Sequence, residues 1–334
     1  MWALLSLLAP FFGLVWIGWW AARRGILPLE GIGALMVFVL YFALSALLFR
    51  LGAGGVLQAG ASVGLLAVYA GASLVVIALG LIWGLRRGLS RRDSGMAAMV
   101  AVFPNTGFLG LPLLTGLLGT EAAGAVAATL LVDVLMTLSL CMAWVHSRAG
   151  PRGPGGEAAV WHEALRTSVQ GALRNPLLWA MAAGMGVAAL GWTVPKPLDD
   201  TLRLLGQAAT PAALFTLGAI VAREQLKQKS ATQAVAQAVQ ASSLLWLAGF
   251  KLLAHPALVC ALGWGAIQVG VPLPTLGLTA IVLAAALPSA ANVSMLAERE
   301  GANTAMVARV ILWTTAAAIV SLLAWASVLG VQPR

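Results

Sequence analysis

The chain has 334 residues, of which 60% are hydrophobic and 9% charged, and its mean hydropathy is +0.93. That composition excludes an ordinary soluble domain. A net charge of +9 would suit a nucleic-acid partner, but the basic residues sit in short connections between apolar runs, where they report membrane topology instead.

Hydropathy predicts ten membrane spans, the first being Ala3–Ala22. No basic residue precedes it and Arg23-Arg24 follow it, the reverse of a cleaved signal peptide, so it is kept as a span. Ile32–Phe49, Val63–Leu85, Met96–Leu118 and Ala122–Val145 complete the first half. The second half is read as Leu177–Trp192, Leu204–Ala222, Ser242–Val269, Leu276–Ala297 and Ala302–Leu329. Asn175-Pro176 opens the sixth span as an N-cap followed by proline at the first helical position. The eighth is long, contains Lys251, His255 and Pro256, and is read as one tilted, kinked helix. Cys141 and Cys260 both fall inside spans, so no disulfide framework is implied.

Two of these spans are interrupted. In the fourth, Pro104 lacks an amide hydrogen and collides with the carbonyl four residues back, and Asn105, Thr106 and the permissive Gly107 follow at once. The ninth repeats the pattern with Pro288, Ser289 and Asn292. A helix broken at membrane depth leaves bare amides and carbonyls that protein, water or a ligand has to meet. Matched breaks in two halves point to the substrate site of a secondary transporter.

Loop charge sets the topology. Fourteen of the 20 Lys and Arg lie in the connections after spans one, three, five, seven and nine, against four (Arg50, Lys196, Arg203 and Arg334) on the other side. The positive-inside rule makes the richer side cytoplasmic and leaves both termini outside, in a multi-pass protein of the plasma (inner) membrane. Five spans per half is an odd number, so the second half enters from the opposite side and the halves become inverted repeats. Gly119-Thr120-Glu121 after the first break aligns with Gly301-Ala302-Asn303 after the second, each glycine a candidate helix C-cap. The expected organisation is therefore a first five-helix repeat at 1–147, a cytoplasmic linker at 148–175 and a second repeat at 176–334. The linker begins Gly- and Pro-rich. It then spaces Trp161, Leu165, Val169 and Leu173 four apart, which fits either an interfacial helix or a solvated connector. His162 there is read as an exposed loop residue.

The stretch Pro104-Asn105-Thr106-Gly107-Phe108-Leu109-Gly110-Leu111-Pro112-Leu113 resembles the fourth-span signature of the auxin efflux carrier family. Further stretches resemble that family in order: Arg174-Asn175-Pro176-Leu177, Pro211 to Gly218, Lys251 to Pro256, and Leu287 to Asn292. The resemblance covers essentially the whole chain. It implies an all-α polytopic membrane protein with ten transmembrane helices as two inverted five-helix repeats, of the bile acid–sodium symporter type, in which broken helices four and nine cross. Spans one, two, six and seven would form a scaffold, and spans three to five and eight to ten a mobile transport core. Relatives carry small organic anions such as malate, malonate or indole-acetate. Asparagines beside the crossing prolines hold the carboxylate, which by position gives Asn105 and Asn292. The short linker here departs from the long regulatory loop of plant members.

The residues support an anion independently. A broken helix aims amides and a positive dipole end at the gap, and Asn105, Asn292, Thr106 and Ser289 add neutral donors. The competing reading is that these side chains only cap the freed backbone of their own helices. Within spans lie Asp133, Lys251 and Arg309. Asp133 is either one end of a structural ion pair or a group that takes and releases a coupling proton. His255 is read as a packed or hydrogen-bonded residue, and Glu298 and Glu300 as solvated. No HExxH, CxxC or phosphate-cradling glycine loop occurs, so no enzyme, metal or cofactor is expected. Two classes stay open: a secondary carrier of organic anions by elevator-type alternating access, coupled to protons, to sodium or to neither, and a membrane sensor that binds without transport. Homodimerisation is open as well.

Overall fold

A computed structural model describes residues 2–55, 62–146, 176–230 and 241–331. The linker at 148–175, with Trp161, His162 and Asn175, lies outside them. Among the described residues every regular element is helical. This follows from the apolar composition, because a helix satisfies its amides within its own segment.

In chain order the helices are α1 (Trp2–Arg23), α2 (Gly31–Ala53), α3 (Val63–Arg86), α4 (Arg91–Val102), α5 (Thr106–Leu118) and α6 (Thr120–His146). They continue as α7 (Pro176–Ala189), α8 (Lys196–Ser230), α9 (241–268), α10 (Thr275–Ala285), α11 (Val293–Arg299) and α12 (Thr304–Val328). Six of these, α2, α3, α6, α8, α9 and α12, contain a stretch long and apolar enough to cross a membrane. The chain is a multi-pass membrane protein. The fourth and ninth expected spans are each split, into α4–α5 and α10–α11.

Small residues set the closest packing, as expected where lipid removes the usual hydrophobic drive between helices. Helix α1 lies along α8 and α2 along α7. A methyl group at Gly18 would overlap the Phe215 carbonyl oxygen, and one at Gly218 would overlap that of Val15. The α2–α7 pair repeats this with Gly52 against the Gly184–Met185 backbone and Gly184 against the Phe49 carbonyl. Helices α3 and α4 pack through Gly80 and Gly84, which face Ala98 and Ser94. Gly119 and Gly301 both adopt positive φ, +92° and +63°, just beyond α5 and α11. A positive φ is open to glycine at little cost, which lets the chain turn away just past each helix.

At one end of the molecule, polar contacts bind α4, α6 and the α11–α12 loop. Asn303 caps α12 through Met306 N–H, at 2.9 Å, and its own amide donates to Asp93 Oδ1 at 2.7 Å. Trp144 Nε1 donates to Ser94 Oγ, and His146 meets Glu300 at 2.8 Å. Glu300, expected to be solvated, is thus engaged.

Prolines in these helices leave carbonyls without their usual donors, and tertiary contacts supply substitutes. Pro256 cannot donate to Leu252, whose oxygen accepts from Trp325 Nε1 at 3.0 Å and Ser321 Oγ at 3.3 Å. The same segment carries a π-turn at Phe250–Ala254, so the kink expected in the eighth span takes the form of a widened turn.

Candidate site at the crossing of two broken helices

The two breaks meet. Pro104 and Ser289 form an antiparallel bridge, with Asn105 N–H donating to the Pro288 carbonyl at 2.9 Å and Ala290 N–H to the Phe103 carbonyl at 3.0 Å. Each break therefore satisfies part of the other, as two strands would. The remaining groups find other partners. The Val100 carbonyl, which has no donor because Pro104 stands four residues on, accepts from Ser289 Oγ at 2.6 Å. Ser289 N–H donates to Thr314 Oγ1 at 3.1 Å. The Ala285 carbonyl, at the C-terminus of α10, accepts from Lys251 Nζ, a cation at the negative end of a half-helix.

One set of donors has no acceptor. The first turn of α5 is a π-turn, Thr106–Gly110, in which the Asn105 carbonyl accepts from both Leu109 and Gly110. The amides of Thr106, Gly107 and Phe108 bond to no main-chain carbonyl among the described residues. Asn105 Nδ2 and Thr106 Oγ1 also lack partners, although these residues are only 3% and 2% exposed. Buried polar groups are ordinarily paired, and each one left alone costs about 1–3 kcal/mol. Three amides, a carboxamide and a hydroxyl are thus left unpaired at the positive end of a helix, the kind of terminus that attracts negative charge. Thr106 and Gly107 border a small cleft whose other walls include Leu44 and Leu48 of α2, Leu111 of α5, Val126 and Leu130 of α6 and Leu177 of α7.

The other sequence-expected residues fall in different surroundings. Pro288 and Ser289 are buried at the crossing, with the N–H and Oγ of Ser289 both engaged. Asn292 is exposed at the start of α11 and caps nothing with its side chain. Asp133 is buried at the head of a further π-turn, Asp133–Thr137, and accepts from Tyr69 Oη through both oxygens at 3.2 Å. The cation whose charge acts on it is Lys251, without a direct ion pair among the described residues. Arg309 is part-buried in α12 and makes interactions of its own. His255 meets Ser73 Oγ at 3.1 Å and packs its ring 5.3 Å from that of Tyr69. It is the hydrogen-bonded residue expected.

A family model described as membrane transport protein matches residues 3–326. The chain belongs to that family. This is the auxin efflux carrier family that the fourth-span motif resembled. A protein of Rhizobium meliloti named "Putative malonate transporter" is 28% identical over 311 residues, covering 93% of this chain and 91% of its own length. An "Uncharacterized transporter" of Methanothermobacter thermautotrophicus is 26% identical over 248 residues, covering 74% of this chain and 72% of its own.

Sequence reasoning passed over several residues of this transporter's candidate site. Tyr69 and Ser73 look like ordinary small or aromatic residues of an apolar span. The one available signal was a buried aromatic hydroxyl, which needs a partner. Thr314 and the leucine wall carried no signal at all, since any span offers threonines and leucines.

Proposed function

We propose that this transporter moves small organic anions, mono- or dicarboxylates, as a secondary carrier by elevator-type alternating access. The observation that carries the reading is the unpaired donor set of Asn105, Thr106, Gly107 and Phe108 at the crossing. Neutral donors hold a carboxylate without trapping it, which suits a cargo that must also leave. Pro104 and Pro288 create the crossing, Ser289 ties it together, and Asn292 reaches the cargo from the exposed rim once the cleft opens.

The architecture in this reading is ten spans as two inverted five-helix repeats, at 1–147 and 176–334, joined by the 148–175 linker. Packing supports it. With α1 the counterpart of α7 and α2 that of α8, the close α1–α8 packing at Gly18 and Gly218 corresponds to the α7–α2 packing at Gly184 and Gly52. The two breaks are counterparts in the same reading, and they pair with each other. Helices α1, α2, α7 and α8 form the scaffold and the rest the transport core, with the cleft lined from both groups. Asp133, Tyr69, Lys251 and His255 form a buried charged cluster in the core, where Asp133 is the candidate coupling group for a proton or a sodium ion. In this reading the chain sits in the plasma membrane with both termini outside.

Counterflow uptake in proteoliposomes tests the reading. Unlabelled carboxylate inside should drive accumulation of labelled carboxylate from outside. An acid that raises the melting temperature of the purified protein but never exchanges would leave a sensor in place of a carrier.

A further inference from the structure

The cleft beside the donor set offers nothing to a second charge. Thr106 and Gly107 border it, the side chains lining the rest are aliphatic, and the surface it exposes is wholly apolar, with no charged, amide or aromatic group among the described residues. Leu44 and Leu48 are fully buried, and Leu111 and Leu130 are 4% and 9% exposed. A carboxylate laid against them would leave water without gaining a hydrogen bond, which is unfavourable enough to exclude it. The ionisable groups of the core do not line the cleft: Lys251 bonds to Ala285, Asp133 to Tyr69, and His255 to Ser73 through Nε2, its Nδ1 being buried without a partner.

We infer that the cargo is a small aliphatic monocarboxylate, its carboxylate on the Asn105–Phe108 donors and its alkyl body on the leucine wall, and that dicarboxylates such as malonate are poor cargo. This rests on the organic-anion reading above and narrows it. The wall chemistry argues for an alkyl body, and the absence of a lining aromatic ring leaves no stacking partner for an indole. The cleft has a volume of about 10 Å³, room for one water-sized sphere, so α2 and α7 have to move away from the core before any acid enters. A short body requires the least movement. Leu44, Leu48 and Leu177 come from the scaffold side, so selection takes place where scaffold and core face each other.

The test is counterflow of labelled butyrate into proteoliposomes, with acetate, butyrate, hexanoate, malonate and indole-acetate as competitors. Butyrate should exchange, and malonate should compete at least about tenfold more weakly, as expected for a charge without a partner. Leu130→Arg places a cation in the wall and should shift the preference toward malonate by about tenfold or more. Should that variant fail to fold, Leu48→Ala provides an independent arm: by deepening the wall it should move the preference from butyrate toward hexanoate. Malonate competing as well as butyrate in the wild type, or an unchanged chain-length preference in Leu48→Ala, overturns the inference and leaves the carrier reading intact. Folded protein that exchanges no carboxylate at all removes both.

Discussion

Replacing Asn105 by alanine is expected to move stability and affinity in opposite directions. In the ligand-free protein Asn105 Nδ2 is buried without an acceptor, a situation that costs about 1–3 kcal/mol. Truncation removes that cost and leaves a small void whose penalty is about 1 kcal/mol. The Asn105 backbone, at φ −81° and ψ 55°, is accessible to alanine, and its bonds to Pro288, Leu109 and Gly110 are made by the main chain and persist. The apo melting temperature should therefore stay the same or rise. With a carboxylate bound, the lost hydrogen bond is one to a charged group, worth about 1.5–3 kcal/mol, so affinity should fall roughly ten- to 150-fold. Thermal unfolding without ligand and concentration-dependent counterflow measure the two quantities on one preparation. A variant that melts several degrees lower yet exchanges with unchanged half-saturation would show that the side chain only holds the break together.

Gly218→Ala should force α1 away from α8, because the new methyl overlaps the Val15 carbonyl oxygen and lies 2.7 Å from Trp19 N. A loss of about 1–3 kcal/mol is expected in thermal unfolding, while Gly13→Ala on α1, with open space around it, should be neutral. Lys251→Met strands the Ala285 carbonyl and removes the cation that acts on Asp133; a destabilisation of about 3 kcal/mol is expected, and a double-mutant cycle with Asp133→Asn should recover part of it. With Asp133 as the coupling group, facing Tyr69, Lys251 and His255, Asp133→Asn should abolish uptake driven by a pH gradient while counterflow continues; an unchanged pH profile assigns Asp133 to structure. At Glu300 partial burial opposes ionisation, but hydrogen bonds from His146 and Arg299 outweigh it and hold the carboxyl below its usual range. A depressed folded-state pKa gives stability that is present above the unfolded value and is lost as pH falls through the folded one. Acid titration of the melting temperature should therefore be flatter in Glu300→Gln.

What the sequence by itself determined is whatever depends on a few neighbouring residues. Apolar length marked the membrane segments, Pro104 and Pro288 marked where two of them stop being helical, and Gly119 and Gly301 marked where the following pieces end, with the positive φ observed at both. These features are local because helix continuation depends on the next amide and on steric freedom within one turn. The tertiary structure alone decided what meets the groups those local features release. Nothing within one turn of Val100, Leu252 or Ala285 announces that Ser289, Trp325 and Lys251 will satisfy their carbonyls. Nor does the sequence reveal that Tyr69 holds Asp133, or that α2 and α7 supply leucines to the cleft. It also treats Asn105 and Asn292 alike, whereas folding buries the first without a partner and leaves the second exposed. The physical reason is that a hydrogen bond between distant segments depends on where packing brings them, through contacts such as Gly18 on Phe215 and Gly52 on Gly184, and that placement is a property of the whole bundle.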